Sequence, residues 1–138
     1  MITTTTIHVR YAETDRMGIA HHSNYAVWFE AARTDLSRHL KMSYAQMEEA
    51  GLMLPLSELH CKYIGSCTYD DTLEVKCAVT QLSRVKITFS YKIYKDGKLI
   101  TTGDTVHGIT DTNLHLVNTQ KKFPEIYRIF EEALEPEF

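Results

Sequence analysis

Apolar and polar residues alternate at Ile7, His8, Val9, Arg10, Tyr11 and Ala12, the two-residue period of a strand with one buried face. After a turn-like stretch at 13–24 the period changes. Tyr25, Trp28, Phe29, Ala32, Leu36 and Leu40 recur at three- and four-residue steps, which predicts a helix over 25–40. Its first half is apolar nearly all round and is expected to be enclosed. Arg33, Asp35, Arg38 and His39 turn the second half toward solvent. Either Ser23 or Asn24 is expected to cap its start. A short helix at 42–50 should stop at Gly51.

From there the period returns to two. Leu59, Cys61 and Tyr63 alternate, then Leu73, Val75, Cys77 and Val79, then Val85, Ile87, Phe89, Tyr91 and Ile93. Asp96-Gly97 is a hairpin signal leading into a strand near 99–109, and Phe123, Ile126, Ile129, Phe130, Ala133 and Leu134 predict a closing amphipathic helix. The expected architecture is α+β, a single domain over 1–138. In it a five-stranded antiparallel sheet wraps around one long central helix, because the later strands must cover Trp28 and Phe29. An open edge strand remains, so a homodimer or homotetramer is expected.

Composition narrows the function classes. A formal charge of −3 supplies no basic stripe, so nucleic acid is not an expected partner. No apolar run is long enough to span a membrane, and no secretory leader precedes the first strand. The three cysteines, Cys61, Cys67 and Cys77, form no CxxC pair and read as reduced thiols of a cytoplasmic protein. Cys61 and Cys77 alternate inward with no base beside them, which disfavours a cysteine nucleophile. His60, Cys61 and His107 are too sparse for zinc, so no metal and no cofactor are expected.

The chemistry gathers in Val9-Arg10-Tyr11-Ala12-Glu13-Thr14-Asp15-Arg16-Met17-Gly18-Ile19-Ala20-His21-His22-Ser23-Asn24-Tyr25, followed by Trp28, Phe29, Glu30, Ala32 and Arg33. The aromatic strand residue, acidic pair, glycine, histidine, Asn-Tyr step and aromatic helix resemble the signature of the 4-hydroxybenzoyl-CoA thioesterase-like hotdog family. More narrowly they resemble its Tol–Pal-associated acyl-CoA thioesterases. Motif resemblance runs over about 9–35. It implies the hotdog fold, an acyl-CoA substrate (with acyl-carrier protein an alternative carrier), Asp15 as the catalytic carboxylate and His22 as the position that activates the carbonyl.

Thioester hydrolysis needs a nucleophile or an activated water, and donors for the oxygen that becomes negative. Asp15 can attack the carbon directly or deprotonate a water; both routes stay open. Amides near His22 and Ser23 sit at the positive end of the helix. Gly18 lets the loop reverse, and Gly18, Ser23, Asn24 and Tyr25 are expected to contact substrate.

Rival readings of the same residues are simple. Asp15 alone reads as a loop carboxylate bonding its own backbone. His21 reads as solvated or packing, Glu13 as a structural acceptor, and Tyr11 and Trp28 as core. Glu30 and Arg33 have the spacing of an intrahelical pair. Lys62, Arg84, Lys86 and Arg16 are candidates for the CoA phosphates. Two other functions compete: a hotdog enoyl-thioester hydratase or dehydratase, disfavoured by the lack of proline before Pro55, and a non-catalytic acyl-thioester binding module.

Overall fold

The computed structural model describes residues 1–138. Five strands form one antiparallel sheet: β1 (Ile2–His8), β2 (Leu56–Tyr63), β3 (Thr72–Leu82), β4 (Lys86–Lys95) and β5 (Lys98–Gly108). Their spatial order is β1-β3-β4-β5-β2, which leaves β1 and β2 as the two edges. The helices are α1 (Ser23–His39), α2 (Tyr44–Ala50), α3 (Thr119–Lys122) and α4 (Pro124–Ala133).

β1 begins earlier than the alternation at Ile7 indicates. Ile2 and four threonines carry it, β-branched residues that suit a pleated edge, and it pairs with β3 from Ile2↔Ala78 to His8↔Thr72. It also ends sooner. Val9 is buried, but the chain then enters a 3₁₀ turn at Tyr11–Glu13, and Tyr11 stands 77% exposed rather than in the core.

The inner face of the sheet presents Leu73, Val75, Cys77 and Val79 from β3, and Phe89, Tyr91 and Ile93 from β4, all buried. α1 has 17 residues and lies against β1 and β3. Its buried stripe is Tyr25, Trp28, Phe29, Ala32 and Leu36, the predicted spacing. Phe29 stacks flat on Tyr91, with ring centroids 4.3 Å apart and planes 10° apart. The α1 face bearing Val27 is uncovered, and Val27 is 57% exposed.

Arg33 does not pair with Glu30. Its Nε donates to the Tyr44 hydroxyl at 2.7 Å and its Nη1 to the Tyr91 hydroxyl at 3.0 Å, so the guanidinium ties α1 to α2 and to β4. α2 has a full capping box, with Ser43 Oγ accepting from Gln46 N–H and Gln46 Oε1 accepting from Ser43 N–H, and ends at Gly51 as predicted. α4 opens on Pro124 and buries Ile126, Phe130 and Ala133.

β2 differs from the other strands. Every residue of it except Cys61 is exposed, including Leu56, Leu59 and Tyr63. Glu58, His60 and Lys62 alternate along its outer face, where His60 lies opposite Asp104 of β5. His107 points the other way and is buried, so His60 and His107 occupy opposite faces of the sheet.

Candidate active site

The segment between β1 and α1 is built around Glu13. Its carboxylate is 5% exposed. One oxygen accepts from Arg10 N–H at 2.8 Å and the other from the Trp28 indole at 3.1 Å. Burial pushes this carboxyl up, but the Arg10 amide, the Trp28 indole and the Arg10 guanidinium outweigh burial and hold it below its ordinary value. The 3₁₀ turn follows from this bond, since Glu13 draws the backbone back onto Arg10.

Next comes a tight hairpin. Asp15 N–H donates to Ile19 O at 2.9 Å, and Gly18 N–H donates back to Asp15 O at 2.9 Å. This is the three-residue loop whose last position must be left-handed, and Gly18 fills it at φ +82°. A methyl at Gly18 would touch nothing, so the backbone angle alone calls for glycine there. The hairpin is held to the 65–71 loop by Ala20 N–H on Cys67 O at 2.9 Å and by Thr68 Oγ1 on Gly18 O at 2.7 Å.

Asp15 sits half-buried at the corner of this hairpin. Its Oδ1 accepts from Met17 N–H at 2.8 Å, the local bond that the simple reading expects. Its Oδ2 accepts from no protein group. The carboxylate is therefore oriented through one oxygen and has the other available.

The chain then reaches the start of α1. His21 N–H donates to Glu13 O at 2.8 Å. Ser23 and Asn24 were the expected caps, but neither holds that position. Ser23 N–H is instead satisfied by the ring of His21, whose Nδ1 lies 3.2 Å away and also accepts from Ser23 Oγ at 2.8 Å. These two donors fix Nδ1 as the unprotonated ring nitrogen. Asn24 reaches backward, its Nδ2 donating to Glu13 O at 2.8 Å and to His21 O at 3.0 Å.

His22 occupies the cap position itself. Its N–H donates to no protein group, so of the first amides of α1 it is the one left open at the positive end of the helix. Its carbonyl accepts from the Tyr63 hydroxyl at 3.3 Å. Although Tyr63 is exposed, partial desolvation of its hydroxyl and then the neighbouring Cys61 thiol raise the phenol above its ordinary value, so it remains a donor at neutral pH. Tyr25 is in the core, its ring packed against Trp28 and Tyr63 and its hydroxyl 3.6 Å from Cys67 Sγ.

Sequence reasoning placed the Asp15 loop ahead of α1 and began that helix two residues late, at 25 rather than at Ser23. It missed His21 as the group that closes Ser23 N–H, because histidine is not among the usual cap residues. It also missed Tyr63, whose contact with His22 spans 41 positions of chain and leaves no local signal.

A match to the thioesterase-like superfamily covers residues 9–134. The chain belongs to that superfamily. It is 33% identical over 129 residues to the Bacillus subtilis protein named "Putative acyl-CoA thioesterase YneP", spanning 92% of this chain and 94% of that one. Among solved structures, a DHNA-CoA thioesterase from Staphylococcus aureus superposes with a TM-score of 0.89 at 35% identity, covering 95% of this chain and 89% of that one. Escherichia coli acyl-CoA thioester hydrolase YbgC is 25% identical over 87 residues, 63% of this chain and 65% of that one.

In this thioesterase-like chain the larger cavities do not contain Asp15 or His22. The most voluminous, about 610 Å³, lies among β4, β5 and β2 and includes His60, Lys62, Lys92, Thr102 and Asp104. A smaller apolar slot of about 230 Å³ is lined by Tyr44, Met47, Leu52, Met53, Leu54 and Leu114. Of the candidate phosphate ligands, Arg16 lies within the Asp15 hairpin and Lys62 on β2 near Tyr63. Arg84 bonds Gln120 Oε1 at 3.1 Å, and Lys86 opens β4 opposite Gly108, at the far end of the sheet from Tyr63. No helix is long and apolar enough to cross a membrane.

Proposed function

We propose that this chain hydrolyses acyl-CoA thioesters, with Asp15 as nucleophile or general base and the His22 amide as donor to the thioester oxygen. One observation carries this reading. An uncommitted carboxylate oxygen on Asp15 and an uncommitted helix amide on His22 lie on the same short segment, Asp15 at the corner of its hairpin and His22 beside His21, whose N–H is bonded to Glu13 O. Water adds to the acyl carbon, directly or after attack by Asp15. The carbon–sulfur bond breaks, and the products are a carboxylate and the CoA thiol. A single well-placed amide at the developing oxyanion is worth about 10²–10³ in rate.

Aromatic acyl groups are the favoured substrates. Identity is higher with the DHNA-CoA thioesterase than with YbgC, so the narrower likeness to the Tol–Pal-associated branch is the weaker guide. We read the sheet as curved around α1 in the hotdog manner, with 1–138 acting as one unit. Three free thiols fit a reducing cytoplasm.

The exposed edge points to a two-fold dimer through β2. Ile64 N–H donates to Ile100 O, so by alternation Leu59, Cys61 and Tyr63 carry the unpaired backbone groups of the edge. Antiparallel self-pairing centred on His60 sets Glu58 opposite the partner's Lys62, and Leu59 opposite the partner's Cys61. The same pairing carries the partner's Leu54 slot and the partner's Arg84 and Lys86 toward the His22 end of this chain. An acyl pocket and a phosphate site are thereby completed between two copies.

The test is thiol release from short, long and aromatic acyl-CoAs, DHNA-CoA included, by the wild type and Asp15→Asn. Turnover should fall by at least about 10²-fold with the melting temperature held. A substituted enzyme that turns over as fast as the wild type places the chemistry elsewhere.

A further inference from the structure

We propose that Glu13 is a positioning residue for the hydrolysis, fixing where the Asp15 carboxylate stands relative to the His22 amide. This rests on the thioesterase reading and adds to it a residue that touches neither substrate nor attacking water.

Four hydrogen bonds converge on Glu13. Its side chain faces the core, where Oε1 accepts from Arg10 N–H at 2.8 Å and Oε2 from Trp28 Nε1 at 3.1 Å. Its main-chain carbonyl faces the start of α1, accepting from His21 N–H at 2.8 Å and from Asn24 Nδ2 at 2.8 Å. One residue thus joins the end of the β1 segment, the first turn of α1 and its second turn. Asp15 follows two positions later, and His22 is the neighbour of the bonded His21. Asp15 and His22 share no bond with each other; the hairpin from Asp15 to Ile19 joins them along the chain, and the Glu13 carbonyl closes its base by holding His21 N–H.

The chemistry of the position requires a carboxylate. Both side-chain partners are N–H donors, and two oxygens meet them. Glutamine would turn its own NH₂ toward one of those donors and leave it buried and unpaired. Aspartate is one methylene shorter and can reach only one of the two. A residue needed merely to fill this 5% exposed space would be apolar. Rates are sensitive to such a clamp, since a misplacement of about 1 Å can cost about 10²-fold.

The test compares the wild type with Glu13→Gln, Glu13→Asp, Trp28→Phe and the Glu13→Gln/Trp28→Phe pair. We expect kcat to fall about 10- to 100-fold in Glu13→Gln while KM moves less than about threefold. Trp28→Phe should show a smaller loss of the same kind, Glu13→Asp an intermediate one, and the pair less than the two single losses combined, because both changes act on the same carboxylate. Amide hydrogen exchange gives a readout independent of substrate. His21 N–H should exchange at least about tenfold faster in Glu13→Gln, and measurably faster in Trp28→Phe, while Ala32 and Leu36 in the middle of α1 stay protected.

If Asp15→Asn turns over like the wild type, or the wild type releases no thiol, the thioesterase reading fails, and unchanged His21 exchange would then overturn the clamp separately. With an active wild type, a lowered melting temperature and intact kcat in both Glu13→Gln and Trp28→Phe marks Glu13 as structural only and overturns the proposal. Should Glu13→Gln fail to fold, Trp28→Phe decides by the same two measurements.

Discussion

The ring of Phe29 lies against the backbone of Gly103 so closely that a methyl there would stand 2.6 Å from Phe29 Cζ. The same methyl would stand 2.7 Å from the carbonyl oxygen of His60 on the neighbouring strand. Glycine is therefore what lets α1 approach β5 while Phe29 stacks on Tyr91. Gly103→Ala must push the ring and the edge strand outward together, and backbone cannot swing aside as a side chain can. We expect a loss of about 2 kcal/mol, a melting temperature lower by roughly 6 °C. Thermal unfolding followed by circular dichroism checks this, and an unchanged midpoint would mean α1 is seated less tightly than described.

His107 ends a chain of oriented hydrogen bonds that starts at Arg33. Arg33 donates to the Tyr91 hydroxyl, Tyr91 lies 2.7 Å from Thr105 Oγ1, and His107 Nε2 lies 2.9 Å from the same oxygen. Its Nδ1 meets Leu54 O at 2.9 Å; a carbonyl only accepts, so Nδ1 carries the proton and Nε2 accepts. Burial drives this imidazole down to about 4, against the bond to Leu54, with the Arg33 charge adding to the effect. The unfolded chain takes up the proton near 6.5. Between those values the unfolded state holds more protons, so stability falls as pH drops from about 6.5 toward 4. Allowing for solvent screening, the loss is about 2 kcal/mol. Urea midpoints for the wild type and His107→Gln, taken at neutral pH and at 4.5, should diverge; parallel lines would remove His107 as the cause.

Asn24 works in the opposite direction from the cap its sequence position implies. It donates backward from α1 to the carbonyls of Glu13 and His21. Asn24→Asp replaces that donor by an anion facing two carbonyl oxygens. We expect stability to drop by about 1–2 kcal/mol despite the favourable charge at a helix start, and kcat to drop with it. If the variant is more stable than the wild type, the helix dipole outweighs these two bonds.

What could be read from the sequence followed the range of the interactions. The α1 stripe, the inward faces of β3 and β4, the Asp96–Gly97 turn and the Asp15 loop are set by neighbours a few positions apart, and period and turn chemistry carry them. Tyr11 left the strand pattern because the Glu13 carboxylate captures Arg10 N–H and curls the backbone, a bond the alternation does not encode. β1 was hidden by its threonines, since an edge strand with little buried area has no need of an apolar face. Arg33 chose Tyr91, 58 positions away, over Glu30 on its own helix, because the guanidinium points into the sheet rather than along the helix surface. The Glu13–Trp28 bond joins two residues that looked like separate structural pieces, and only the folded chain shows them as one.

The proposed pairing at the edge of β2 turns on charge. Glu58, His60 and Lys62 share the outer face of that strand. Self-pairing centred on His60 makes two symmetry-equivalent Glu58–Lys62 cross-strand contacts, each worth up to about 1 kcal/mol. Lys62→Glu would replace both by carboxylates facing each other, so light scattering at micromolar concentration should shift from dimer toward monomer. Adding Glu58→Lys reverses the polarity of both contacts and should restore the dimer. Thiol release should follow the same pattern, low in the single variant and recovered in the pair, because the proposed dimer completes its acyl and phosphate sites between two copies. A wild type that stays monomeric removes the interface, and a pair that remains monomeric while the wild type dimerises shifts the two-fold away from His60.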